Sequence, residues 1–385
     1  MKQRLLLATL AAATLLPACK KDENNNDALK QSVVESYTKV VYSTYEDSYN
    51  QAVTFQTKVN AFVAAPTEAG FNELKSFWAG ALRTPYGQTD AFRFYGGPID
   101  DDNGREGQLN AWPLDEVYID YVDGNANAGI INNVAGFPNI TLDVIKAANE
   151  DGGETNISTG YHAIEFLLWG QDLFTNSAGQ RPYTDYLANG GTAANQARRG
   201  QYLKAVTDLL VEDLLYTKNA WNAGSSYRST FESQASNVSL ELILTGIGKF
   251  CKGELFGERF DVAYSTQSQE DEHSCFSDQT HNDIRFGFMG IENVYYGDYK
   301  KFDGTTVSGI GLDELLEAVD PTLNAELKTK IQAAHDAVFA VQAPFDQEII
   351  TPAGRVRCRA AIDAGNEVAD KIVEAASALG IQITL

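Results

Sequence analysis

Apolar positions recur most regularly between residues 29 and 64, where Val34, Tyr37, Val41, Thr44, Ser48, Ala52, Phe55, Val59 and Phe62 follow one another at steps of three and four. That spacing draws one stripe down the face of a long helix. Pro66 stops it, and Thr67 with Glu68 behind it marks the start of a second helix carrying Phe71, Leu74, Phe77 and Trp78. The same period predicts helices over 139–149, 158–169, 198–222, 229–249, 280–296, 312–318, 321–343 and 354–379. Loops rich in Gly, Asp and Asn, such as 96–104 and 189–195, separate them, and the alternation a strand needs is nearly absent. The fold class expected is all-α. Because the chain exceeds the usual size of one core, the expectation is two helical-bundle domains, 29–194 and 195–385, packed together with the functional site at their junction.

The first residues break this pattern. Lys2 and Arg4 precede an apolar run over 5–16, and Leu16-Pro17-Ala18-Cys19 closes it, the layout of a bacterial signal peptide (1–19) ending in a lipobox. The run is too short to span a bilayer as a helix. Cys19 is thus expected as an acylated N-terminus, followed by a polar tether over 20–28. The Lys21-Asp22-Glu23 in that tether is similar to surface-export signals that follow the acylated Cys in Bacteroidetes lipoproteins. The expected location is the outer membrane, at the cell surface or the periplasmic face, with the lipid at Cys19 as the membrane contact.

Charge narrows the classes of partner. The formal net charge is −22, and removing the signal takes away Lys2 and Arg4 but no acidic residue. Such a surface repels nucleic acid and attracts cations. Beyond Cys19 the cysteines are Cys251, Cys275 and Cys358, none in a CxxC spacing, which allows one disulfide with a free thiol or no pairing.

Candidate chemistry gathers in two clusters that hold three of the four histidines. In Gly160-Tyr-His-Ala-Ile-Glu165, His162 and Glu165 stand three apart on a predicted helix, so both side chains project from one face and can reach one cation. Imidazole nitrogen with carboxylate oxygen suits zinc or iron. Phe166-Leu-Leu-Trp169 buries that helix, and a buried imidazole and carboxylate need partners, which a metal would supply. The second cluster, Glu270-Asp-Glu-His-Ser-Cys-Phe-Ser-Asp-Gln-Thr-His-Asn-Asp283, offers His273, Asp278 and His281 to complete or orient the site. Glu270 and His273 have the spacing bundles use for di-iron centres, but the further glutamates and second motif such a centre needs are missing. Cys275 beside His273 and His281 is a weak nucleophile candidate, because a working dyad rarely comes from neighbours in sequence. His335 lies on an amphipathic helix outside both clusters, and Glu46, mid-way along the first helix, is a possible further ligand. Residues 161–170 also align with 288–297 by residue type, with Met289 opposite His162, a hint of duplication in which only the first copy keeps the histidine.

These motifs carry a family resemblance. Gly160-Tyr-His-Ala-Ile-Glu165 resembles the GxHxxE signature of the imelysin family, and Asp271–Asp283 closely resembles the second signature of its iron-regulated subgroup. Phe55–Asn60, Arg83-Thr-Pro-Tyr86, Asp90-Ala-Phe-Arg93, Trp112-Pro-Leu114 and Gly253–Arg259 look like that family too, so the likeness spans nearly the whole chain after the signal. The resemblance implies two helical bundles with the site between them, on an exported protein or lipoprotein tied to iron uptake. It also implies a place among metallopeptidases. A zinc peptidase needs about three protein ligands and a base, of which His162 and Glu165 supply two ligands at most, with Glu165 as the catalytic group of such an enzyme. Binding iron needs less. The favoured expectation is therefore a metal-binding envelope lipoprotein of iron uptake, taking a divalent or trivalent ion, iron ahead of zinc, alone or as a chelate, with a transport partner. His162 and Glu165 would be the ligands, and Arg83 and Arg93 would hold carboxylates or an anionic chelate. A zinc-dependent peptidase is the alternative, and a surface adhesion or ligand-binding helical module the third.

Overall fold

The computed structural model describes residues 21–101 and 104–385, with side chains from residue 26 onward. The expected signal peptide and Cys19 lie outside the described residues. From Lys21 the polar stretch expected as a tether is already helical and extends the first helix at its N-terminal end.

That helix, α1 (Lys21–Ala64), is the longest element of the structure. All nine stripe positions from Val34 to Phe62 are buried. The Thr44 and Ser48 hydroxyls on that stripe are satisfied within the helix, Thr44 donating to the Val40 carbonyl and Ser48 to that of Thr44, both at 2.8 Å. The next helix, α2 (Glu68–Phe77), starts at Thr67, whose hydroxyl accepts from the Gly70 N–H at 3.1 Å as an N-cap. Further along come α3 (Gly160–Trp169), α4 (Gln196–Ala220), α5 (Ser226–Ser233), α6 (Ser236–Lys249), α7 (Thr280–Tyr296), α8 (Leu312–Val319), α9 (Pro321–Ala340) and α10 (Pro352–Ala378). Among the described residues the strands are one short antiparallel pair, β1 (Asp298–Lys300) and β2 (Thr306–Ser308), with Tyr299 opposite Val307. The molecule is all-α in class.

Helix α1 is the common packing partner of both halves of the chain. It packs on α4, which in turn packs on α3, and it also meets α6 and α8. Helices α9 and α10 pair with each other, and α10 also covers α6. The expected division at 194/195 falls just ahead of α4, which packs on α1 and α3, and one apolar core runs through both halves. None of the helices among the described residues is long and apolar enough to cross a membrane.

Two stretches depart from the α period. Trp78–Leu82 and Phe250–Asp261 are π-helical, with wider turns than the helices they continue. Each delivers a buried arginine, Arg83 directly after the first and Arg259 inside the second. The single helix expected over 229–249 is broken between Ser233 and Ser236, where the Ser239 hydroxyl donates to the Phe231 carbonyl at 2.7 Å and receives the Gln234 amide at 2.9 Å.

Candidate functional site

Every residue of α3 is buried. The helix can start where it does because Gly160 has φ +83°, and a Cβ there would stand 2.3 Å from the Leu109 carbonyl oxygen. Two residues later His162 points its Nδ1 at Glu165 Oε2, 2.9 Å away. The other oxygen of Glu165 accepts both the Ser277 N–H, at 2.9 Å, and the Ser277 hydroxyl, at 2.6 Å. Glu165, expected as a direct ligand, therefore has both oxygens engaged and holds the imidazole in place.

The second cluster brings a matching pair. His273 Nδ1 lies 2.8 Å from Asp283 Oδ2, which also takes a short hydrogen bond from the Ser274 hydroxyl. Asp283 Oδ1 accepts from Arg83 Nη2 at 2.7 Å and from its Nε at 3.2 Å. Arg83 is held in turn over the Tyr161 ring, and its Nη1 donates to Asn110 Oδ1 at 2.9 Å. The His162 and His273 rings meet edge to face with centroids 4.5 Å apart, and Trp112 lies against His273 at 5.6 Å while donating to the Glu272 carbonyl. On both histidines Nε2 is buried and without a hydrogen-bond partner.

Electrostatics make the two pairs unlike. Burial drives both imidazoles down to about 3, so both are neutral near neutral pH. Burial alone would raise Asp283, but Arg83 and His273 beside it overcome that and hold it well below the carboxylate range. His273 accordingly donates its Nδ1 proton to an ionised partner and presents a lone pair at Nε2. Glu165 is pushed up to about 8 by burial, against the hydrogen bond from Ser277. His162 then presents an N–H or a lone pair at Nε2 according to which atom of its pair holds the proton.

A polar cleft of about 500 Å³ opens beside His273, lined also by Arg93, Glu106, Asn110, Trp112 and Glu254. Arg93 sits between Asp90 (3.0 Å), Glu106 (3.2 Å) and Asp100 (3.4 Å). Arg259 joins Asp90 at 2.7 Å to Glu254 at 2.8 Å. Burial works to raise Asp90, but Arg259 and Arg93 outweigh it and hold it at about 2.

The remaining candidates lie elsewhere. Asp278, in the left-handed region at φ +55°, turns away into a buried acidic group with Asp172, Glu272 and Asp346. His281 turns with it, its Nδ1 3.1 Å from the Asp278 carbonyl oxygen. Glu270 is in a 3-10 turn near Asp172. Glu46 pairs with Lys301 at 2.8 Å and Tyr42 at 3.0 Å, and His335 pairs with Glu292 at 2.9 Å and stacks on Phe339. Cys251, Cys275 and Cys358 are free thiols. Burial, with Glu165, Glu270 and Glu272 nearby, pushes the Cys275 thiol well up, which removes it as a nucleophile at neutral pH.

Several residues of the site were not singled out from the sequence as candidates: Asp283, Ser277, Asn110, Trp112, Asp90 and Arg259. Five of these, Asp90, Trp112, Arg259, Ser277 and Asp283, stood inside segments that carried the family resemblance. Asn110, a single polar residue outside those segments, had no comparable signal.

The sequence profile of the family described as Imelysin matches residues 41–372. The chain belongs to the imelysin family. Iron-regulated protein A of Synechococcus elongatus is 24% identical over 378 residues, covering 95% of this chain and 90% of that one. Two solved structures share the imelysin fold at low identity. An iron-regulated protein A precursor of Parabacteroides distasonis gives a TM-score of 0.71 at 19% identity, covering 92% of this chain and 95% of that one. An imelysin-like protein of Psychrobacter arcticum gives 0.65 at 11%, covering 93% and 98%.

What could a metal find here? Among the described residues no group of three or more His, Cys, Asp or Glu side chains is arranged to hold a metal ion. The free donors of this imelysin are the two Nε2 atoms, each backed by a carboxylate on Nδ1, the orientation that metal-ligating histidines take. The residues therefore fit a cation held by imidazole, with its other positions filled from outside the chain.

Proposed function

We propose that this imelysin-family chain binds a metal ion, iron ahead of zinc, as cargo in bacterial iron uptake, tethered to the outer membrane through a lipid on Cys19. The observation that carries the reading is the pair of buried, neutral imidazoles whose Nδ1 atoms face Glu165 and Asp283 and whose Nε2 atoms have no partner. An unpaired buried nitrogen costs about 1–3 kcal/mol, and two of them side by side are best explained by a ligand that takes them up. The likeness to a protein named iron-regulated favours iron. A peptidase would need about three ligands and a base around zinc, and the described residues offer no group of three.

The test is metal content, read by mass spectrometry, of wild-type protein and the His162→Ala, His273→Ala and Glu165→Gln variants after equilibration with iron and with zinc. Near-stoichiometric iron in wild type, lost in both histidine variants and reduced in Glu165→Gln, supports the reading. Equal, negligible metal in all four sinks it.

A further inference from the structure

The cleft beside His273 is too large for the ion alone. A hexahydrated ion fills on the order of 200 Å³, at about 30 Å³ for each water. The cleft holds about 500 Å³, within the range of small-ligand sites. Two buried polar atoms belong to its lining residues, Nε2 of His273 and Nδ2 of Asn110, neither with a hydrogen-bond partner, on residues that are 1% and 3% exposed. Because Asn110 Oδ1 already accepts from Arg83, its Nδ2 is fixed as a donor and calls for an oxygen acceptor.

The charges of the lining set a second condition. Inside, the guanidinium groups of Arg93 and Arg259 face four carboxylates, those of Asp90, Asp100, Glu106 and Glu254. The exposed edge adds Glu150 and Glu154, so the carboxylates exceed the guanidinium groups. A polyanionic complex would meet that edge unfavourably, and a cationic one favourably.

We infer that the cleft takes a small metal chelate with oxygen donors and zero or positive net charge, in which His273 Nε2 replaces a metal-bound water and Asn110 Nδ2 donates to a chelator oxygen. The inference rests on the metal-binding reading above and names its substrate class. The exchange is a ligand substitution: the nitrogen–metal bond forms as one water leaves, and no electron moves.

The test is equilibrium dialysis of the whole chain against three probes at equal iron. They are the cationic ferric bis-acetohydroxamate complex, anionic ferric citrate, and ferrous sulfate without chelator under anaerobic conditions. Iron and chelator retained are both counted, and tryptophan fluorescence quenching that is lost in Trp112→Phe supplies a second readout. The expected result is acetohydroxamate retained together with iron, at least about tenfold more tightly than ferric citrate. Asn110→Leu should weaken that complex about tenfold, and because it also takes the acceptor from buried Arg83 Nη1 it should lower the melting temperature by several degrees. Glu150→Lys with Glu154→Lys, both at the exposed edge, should narrow the preference over citrate by about tenfold. Ferric citrate bound as tightly as the hydroxamate complex, or iron retained from the hydroxamate probe with no acetohydroxamate beside it, overturns the inference and leaves the metal-binding reading standing. Retention of no iron from any probe overturns both.

Discussion

His273 Nδ1 lies 2.8 Å from Asp283 Oδ2, while the other oxygen of the same carboxylate takes two hydrogen bonds from Arg83. One buried negative charge thus fixes an imidazole from the second signature and a cation from a segment 200 residues away. Asp283→Asn leaves Arg83 buried without its counter-ion. Removing one member of a buried pair costs about 3–5 kcal/mol, so urea unfolding should show a loss of that order. Iron retention should fall at least about tenfold, because the His273 ring loses the group that orients it. A variant with unchanged stability would mean that solvent reaches Arg83.

Ser277 makes a subtler prediction. Its hydroxyl and its N–H both donate to Glu165 Oε1, and the pair pulls down a carboxyl that burial raises. Ser277→Ala keeps the backbone bond, so stability should drop by only about 0.5–1.5 kcal/mol. Glu165 should become still harder to ionise, and His162 should lose part of its orientation. Iron affinity should then fall about 10- to 100-fold, the usual effect of removing a group that supports a ligand. Calorimetric titration beside thermal melting separates the two effects; an affinity drop no larger than the stability change explains would count against a positioning role.

At the start of α3 the constraint is steric. Gly160→Ala would place Cβ 2.3 Å from the Leu109 carbonyl oxygen in a backbone at φ +83°. The strain alone is worth about 1–3 kcal/mol, and the contact adds to it. The expected result is a melting temperature lower by several degrees and a displaced His162, so that metal retention falls while Gly190→Ala, where a Cβ meets nothing within 4 Å, affects metal far less.

Local periodicity and long-range geometry were unequally legible. The stripe from Val34 to Phe62, the cap at Thr67 and the helix over 280–296 follow from residue type and spacing, and the structure has each of them. The π-helical stretches were not readable, because a pattern sought at 3.6 residues per turn does not register wider turns. That gap concealed how Arg83 and Arg259 reach the site. Pairings such as Arg83 with Asp283 or Glu165 with Ser277 join distant positions, and no local signal specifies them. The 270–283 segment also splits in a way its composition does not announce: the left-handed turn at Asp278 leaves His273 facing His162 and carries His281 away.

That turn also yields a pH dependence. Burial, then Asp346 and Asp172, pushes Asp278 up to about 7, and burial raises Asp172 to about 6. Both values exceed the ordinary 3.8 of the unfolded chain, so the folded state binds protons more tightly than the unfolded one. The stabilisation is fully present below the unfolded value and is lost as pH rises through about 6 to 7. Asp283 and Asp90 stay ionised across that window and do not contribute. Chemical unfolding should show the wild type less stable at pH 8 than at pH 5, a difference to which Glu165, raised to about 8, adds and from which His162 and His273, held down to about 3, subtract. Asp278→Asn, which keeps the shape and cannot ionise, should reduce that difference and be the more stable protein at pH 8. A variant whose stability tracked wild type at both values would show that the acidic group around Asp278 is relieved by water or a bound cation, and a rise in wild-type stability on adding calcium or magnesium at pH 8 would choose the cation.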